Sequence, residues 1–127
     1  MPAFSFKERF IPLLKDGSKC QTIRLKRKGQ AKPGDTIYLY YGLRTKSCIK
    51  IGEGICTMVE DIHISPSGII TVNGLKLNMA QKNELAWNDG FRDDSGNKGK
   101  SFEIMMRWWK QTHDLPFEGD LISWVKK

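Results

Sequence analysis

The feature that most limits what this chain can fold into is a change of apolar period near its start. Phe6, Phe10, Leu13 and Leu14 recur at spacings of three and four, which predicts a helix over residues 6–16. Ser5 can cap its start and Gly17 can end it in the left-handed conformation. Cys20 to Leu25 then reads as a short strand, so helix passes to sheet within a few residues. That junction carries the run Gly17-Ser18-Lys19-Cys20-Gln21-Thr22-Ile23-Arg24. Strand alternation puts Cys20, Thr22 and Arg24 on one face. Lys19, at the bend, has a stem long enough to swing back to them. A hydroxyl, an amine and a guanidinium so close together make a candidate site for a polar or anionic ligand.

The later punctuation predicts more strands and then helices. Lys26 to Gly34 is a basic loop ending in the turn Pro33-Gly34-Asp35. Thr36 to Tyr41 is a strand, and Lys50 to Ile64 is a long β-prone stretch bent near Gly52 to Gly54. Ser65 to Gly68 is a turn, and Asn73-Gly74 joins two short strands, Ile69 to Val72 and Leu75 to Leu77, as a tight hairpin. Asn78 can cap a helix to Asn88, with Gly90 past its end. Asp93 to Lys100 has no apolar residue and reads as a mobile loop. Ser101 can cap a helix to Gln111, with Phe102, Met105, Met106 and Trp109 as its apolar stripe. Leu121 to Val125 is a closing strand. The order predicts an α+β fold, and 127 residues make it one domain over residues 1–127.

Charge narrows the partners. The chain has 21 basic and 14 acidic residues, a net charge of +7. Residues 19–32 hold Lys19, Arg24, Lys26, Arg27, Lys28 and Lys32 with no acid among them. Arg44, Lys46 and Lys50 add a second acid-free patch. A segregated field of this kind favours an anionic partner, with nucleic acid the foremost. Tyr38, Tyr40 and Tyr41 lie beside it, and an exposed ring such as Tyr40 could stack a base. Alternation separates Tyr41 from the other two, so one of these sets faces the core. On the later helix Trp109 joins the apolar stripe, which leaves Trp108 the more exposed of the pair. No apolar run approaches the roughly 20 residues of a membrane span. No basic-then-apolar leader opens the sequence. Cys20, Cys48 and Cys56 form neither a disulfide framework nor a zinc pattern, and a reducing cytoplasm is the expected compartment. No metal or cofactor is implied.

The run Gly17-x-Lys19-x-x-Thr22-Ile23-Arg24, then Gly34-Asp35 before a strand, then Ala86-x-x-Asp89-Gly90-Phe91, resembles the ASCH family. Those residues, the long central strands and the Trp108-Trp109 helix occur in the family's order. The resemblance implies a PUA-like small mixed β-barrel flanked by about three helices, with a link to RNA. Around Lys19 it is similar to a branch of small amidohydrolases that deacetylate N4-acetylcytidine. By motif, that branch's lysine, threonine and acidic residue fall on Lys19, Thr22 and Asp89, with aspartate here where the branch has glutamate. This chain is also longer, in Arg44 to Lys50 and in Asp93 to Lys100.

Two classes of function follow. One is hydrolysis of an acylated nucleoside, with Lys19, Thr22 and Asp89 catalytic. A threonine hydroxyl needs a base to take its proton, and either Lys19 or Asp89 could serve. The other is an RNA-binding module or ribonuclease acting through a basic cleft. Arg24, Lys26, Arg27, Lys28, Tyr40, Arg44 and Lys46 are the candidate binding residues for a nucleoside or RNA. Arg24 has two readings: it contacts a base carbonyl or oxyanion, or it pairs with an acid such as Asp35. His63 and His113 are isolated in the sequence, so no histidine pair is expected. Structural readings compete as well: Lys19 as an exposed cation at a helix end, Thr22 as a strand former and Asp89 as a turn residue.

Overall fold

A computed structural model describes residues 2–93 and 95–127. The chain is α+β: one mixed, curled sheet forms a half-barrel, and three helices accompany it. The strands are β1 (Ala3–Phe6), β2 (Gln21–Leu25), β3 (Thr36–Tyr41), β4 (Ile49–Ile64), β5 (Ile70–Val72), β6 (Leu75–Lys76) and β7 (Phe117–Lys126). The helices are α1 (Ile11–Asp16), α2 (Met79–Asn88) and α3 (Ser101–Thr112). No helix of the described residues is long and apolar enough to cross a membrane.

The 16-residue β4 is the spine. It pairs antiparallel with β3 over its first half, with β7 from Gly54 to Ile64, and with β5 at its end. β7 carries β2 on its other side, and β3 carries β1 as a parallel neighbour. Register shifts at Leu39/Tyr40 and Cys56/Met58 bend β4, as bulges do. The curl brings β1 and β2 toward each other, but they share no ladder. The concave side holds the core, with Ile37, Leu39, Ile62, Ile64, Ile122 and Trp124 buried from the sheet. α2 and α3 pack against each other, with Ala86, Met105 and Trp109 buried.

Most predicted elements lie where expected. Asn78 forms a capping box with Gln81, and Asn73 and Gly74 both take positive φ at the β5–β6 hairpin. Three starts and ends differ. The helix expected from residue 6 begins only at Ile11, after a 3₁₀ turn over Glu8–Phe10, and Ser5 caps nothing. Phe4 and Phe6 alternate inward on β1, and Pro12 suits a helical first turn, so tertiary strand pairing overrides the helical spacing. Gly17 does end α1, at φ 82°. Ser101 is the first residue of α3 rather than its cap, because a 3₁₀ turn over Lys98–Lys100 leads into the helix. That turn occupies the end of the expected Asp93–Lys100 loop, of which Asp94 lies outside the described residues. The closing strand extends from Phe117, well before Leu121.

Candidate functional site

A cleft of about 320 Å³ opens where the half-barrel is not closed, between β1, β2 and the ends of α2 and α3. That size falls at the low end of the roughly 300–1,000 Å³ usual for small-ligand sites. Lys19, Thr22, Arg24 and Asp89 all line it. The elements that deliver them end there for local reasons. After Gly17 the chain reverses, and the Lys19 N–H returns to the Leu13 carbonyl at 3.0 Å. The Lys19 side chain therefore turns inward, and it is only 2% exposed. This excludes the reading of Lys19 as an exposed cation at the end of α1.

Asp89 closes the C-terminal end of α2. Its N–H bonds to Leu85, and Phe91 N–H reaches back to the Ala86 carbonyl at 2.9 Å. Gly90 between them takes φ 103°. A Cβ there would lie 2.8 Å from Cδ1 of Phe10, so both conformation and space require glycine. The Asp89 carbonyl is thereby left without a helical partner, and Lys19 Nζ donates to it at 2.5 Å. The Asp89 carboxylate lies 3.4 Å from the same ammonium. A cation at a helix C-terminus also meets the negative end of the helix dipole. The rings of Phe10 and Phe6 lie 4.8 and 5.6 Å from Nζ.

Two opposed influences act on Lys19. Burial favours its neutral form, and the Asp89 carboxylate favours the charged form. Burial is the larger, so the Lys19 pKa lies below the ordinary lysine value. Gln21, whose role the sequence did not signal, steadies the carboxylate. Its Nε2 donates to Asp89 Oδ1 at 3.2 Å and to the Leu85 carbonyl at 3.1 Å.

Thr22 and Arg24 share a face of β2, as alternation predicts. Arg24 Nε donates to Thr22 Oγ1 at 2.9 Å, and its Nη2 donates to the Ser5 carbonyl at 2.7 Å. Arg24 thus bridges the open seam from β2 to β1. Among the described residues it makes no ion pair, with Asp35 or any other acid. Burial is the main reason its pKa is lowered to about 10. Cys20 does not join this face in the cleft. Its thiol turns to the Gly17 carbonyl at 3.1 Å.

The remaining wall is aromatic. Phe10, Phe91, Trp108 and Trp109 line it with His113. Trp109 is buried and Trp108 half-buried, as their helix positions predict. His113 stacks on Trp109 at 4.7 Å between centroids, and its pKa is lowered first by burial and then by Arg24 and Lys7. Its place in the site depends on where the end of α3 docks, which no local pattern signals. The Trp109 indole N–H is buried with no acceptor among the described residues.

The other candidate binding residues divide. Arg27, Lys28 and Arg44 line a shallow depression beside the cleft, together with Arg24. Lys26 lines neither hollow; it bridges Asp61 and, at 2.7 Å, Asp120. Tyr40 is half-buried on β3, and Lys46 is exposed in the β3–β4 turn; neither lines the cleft. The core face of β3 is made by Ile37 and Leu39, and its three tyrosines are all half-buried.

Fold and site together define a small α+β domain with a cationic, aromatic-walled cleft at an open sheet seam. No family model, curated protein or solved structure matches the chain.

Proposed function

We propose that this chain is an ASCH-type, PUA-like domain whose cleft takes a nucleobase, and that it hydrolyses the amide of an acylated cytidine such as N4-acetylcytidine. The observation that carries the reading is a buried Lys19 in one cleft with Thr22, Arg24 and Asp89. A structural lysine gains nothing from losing its hydration, whereas a lysine with a lowered pKa is a usable base. The aromatic wall suits a flat ring.

In this reading Thr22 Oγ1 attacks the amide carbonyl carbon and its proton passes to Lys19 Nζ. The carbon–nitrogen bond then breaks, and the exocyclic amine of the base leaves with that proton. Water attacks the resulting ester, releases the acid and restores the hydroxyl. The Arg24 N–H donated to Thr22 Oγ1 favours loss of the hydroxyl proton to the base. Asp89 holds Lys19 in place and, by favouring the ammonium, lowers the fraction of free amine.

Turnover of N4-acetylcytidine by the purified protein tests this, beside Lys19→Ala and Thr22→Ala. Deacetylation by the unsubstituted protein that both changes abolish, with folding retained, supports the assignment. No turnover by the unsubstituted protein overturns it. A second reading, RNA binding or cleavage without deacylation, draws support from the acid-free run of residues 19–32. Salt-dependent RNA binding and a cleavage assay measure it.

A further inference from the structure

The basic residues of the first half fall into two kinds. Three pair with acids: Lys19 with Asp89, Lys26 with Asp61 and Asp120, and Lys50 with Glu53 at 2.5 Å. Arg24, Arg27, Lys28 and Arg44 do not. They line one depression of about 480 Å³, which no carboxylate lines, and it shares Ser5 and Arg24 with the cleft. None of the four makes an ion pair among the described residues.

Two of the four, Arg24 and Arg27, are also held in place. The guanidiniums of Arg24 and Arg27 lie against the same buried ring, Phe4, at 5.2 and 4.9 Å from its centroid. Arg27 is held by the Gln30 side chain at 3.2 Å and the Ala3 carbonyl at 3.4 Å. Two of the five N–H groups of Arg24 are used by Thr22 and Ser5, which leaves the others for a ligand. Arg44 stands at φ 70°, a conformation that costs an ordinary side chain energy. Arg24 and Arg27, like charges against one ring, repel each other, and an anion beside them would relieve that repulsion.

We propose that this depression is a phosphate subsite, so that the ligand of the cleft is a phosphorylated nucleoside: the base in the cleft, the phosphate over Arg24, Arg27 and Arg44. Arg24, common to both hollows, would touch base and phosphate sides of one ligand, as the short sugar between them requires. Guanidinium forks match phosphate oxygens in geometry and charge. The inference rests on the nucleobase reading above, but not on the chemistry of deacylation.

Binding of unacylated ligands tests it independently of turnover. Cytidine, cytidine 5′-monophosphate and an oligocytidine are titrated calorimetrically into the unsubstituted protein and into Arg27→Gln/Arg44→Gln. The monophosphate is expected to bind at least about tenfold tighter than cytidine, as charge-assisted hydrogen bonds would give. That preference should shrink towards onefold in the double variant and with rising salt, and return in part in Arg27→Lys/Arg44→Lys. Equal affinity for cytidine and its monophosphate, or a preference that survives the double substitution, overturns the subsite. So does binding of neither. Ribose 5-phosphate, titrated beside them, keeps the subsite and removes the nucleobase reading instead if it binds as tightly as the monophosphate. An oligocytidine much tighter than the monophosphate assigns the phosphate to RNA; similar affinities assign it to a free nucleotide. The comparison of ligands on the unsubstituted protein stands even if a variant fails to fold.

Discussion

Lys19 Nζ is held more closely by the main chain of Asp89 than by its carboxylate, at 2.5 Å against 3.4 Å. The carbonyl fixes where the amine sits, and the carboxylate biases its charge. One residue therefore fixes the lysine's position with one group and, against the larger effect of burial, favours its charge with another.

Asp89→Asn separates the two roles. The carbonyl contact survives, while the charge that favours the ammonium is lost, so the Lys19 pKa falls further. With Lys19 as the base, the acid limb of kcat/KM moves to lower pH. A limb that stays in place would show that the titrating base is another group. The substitution should also cost about 1–3 kcal/mol of stability, read by urea melts.

Lys19→Met should change the pH dependence of folding. The lysine pKa is lowered in the folded state, so between that value and about 10.5 the unfolded chain binds the extra proton. Stability from this group therefore rises with pH through that window, by up to about 1.4 kcal/mol per pH unit. Urea melts from pH 7 to pH 10 should show that slope in the unsubstituted protein and lose it in Lys19→Met. Equal slopes in both would mean that burial does not depress this amine.

Thr22→Ser and Thr22→Val distinguish a nucleophile from a strand former. Serine keeps an oxygen for attack and for the Arg24 N–H, whereas valine keeps the shape alone. Deacetylation should persist in serine and fall by at least about 10²-fold in valine. Valine should also cost about 1.5–3 kcal/mol, because the Arg24 donor loses its acceptor. Full activity in Thr22→Val would remove the hydroxyl from the chemistry.

Gly90→Ala should destabilise the domain by about 1–3 kcal/mol, since φ is 103° and the new methyl meets the Phe10 ring. Relief requires the end of α2 to shift, and Asp89 with it. Thermal melting reads the loss, and an unchanged midpoint would mean that the ring yields freely.

His113 is expected to titrate below the usual 6.5, because burial and then Arg24 and Lys7 disfavour its cation. Its folded pKa lies under its unfolded one, so its contribution to stability is present above pH 6.5 and is lost as pH falls below it. A proton-resolved NMR titration gives the midpoint directly, and a value above 6.5 contradicts the burial of the ring against Trp109.

Much of the scaffold could be read from local chemistry. The Asn78 capping box, the Asn73-Gly74 hairpin and the end of α1 at Gly17 are short-range devices, and each sits where its residues predict. β1 was hidden because Phe6 and Phe10 also fit a helical period, and only pairing with β3 decides between the two. Within the cleft, the convergence of Thr22 and Arg24 follows from strand alternation. That Lys19 meets the end of α2, and that Gln21 and His113 belong beside it, depends on contacts 64 to 70 residues apart for the first two and on the docking of α3. No local period encodes such distances. Nor could charge counting tell Lys26, which is neutralised by acids from β4 and β7, from Arg27, which is not.

The seam between β1 and β2 has a consequence for how such a domain can change over time. Its rigidity resides in β4 and its long partner β7, whereas every candidate reactive group hangs from the margins of the unclosed sheet or from helix ends beside it. Substitutions at those margins can alter what enters the opening while leaving the long ladder untouched. Specificity can thus drift at the margins, within the stability that the long ladder supplies.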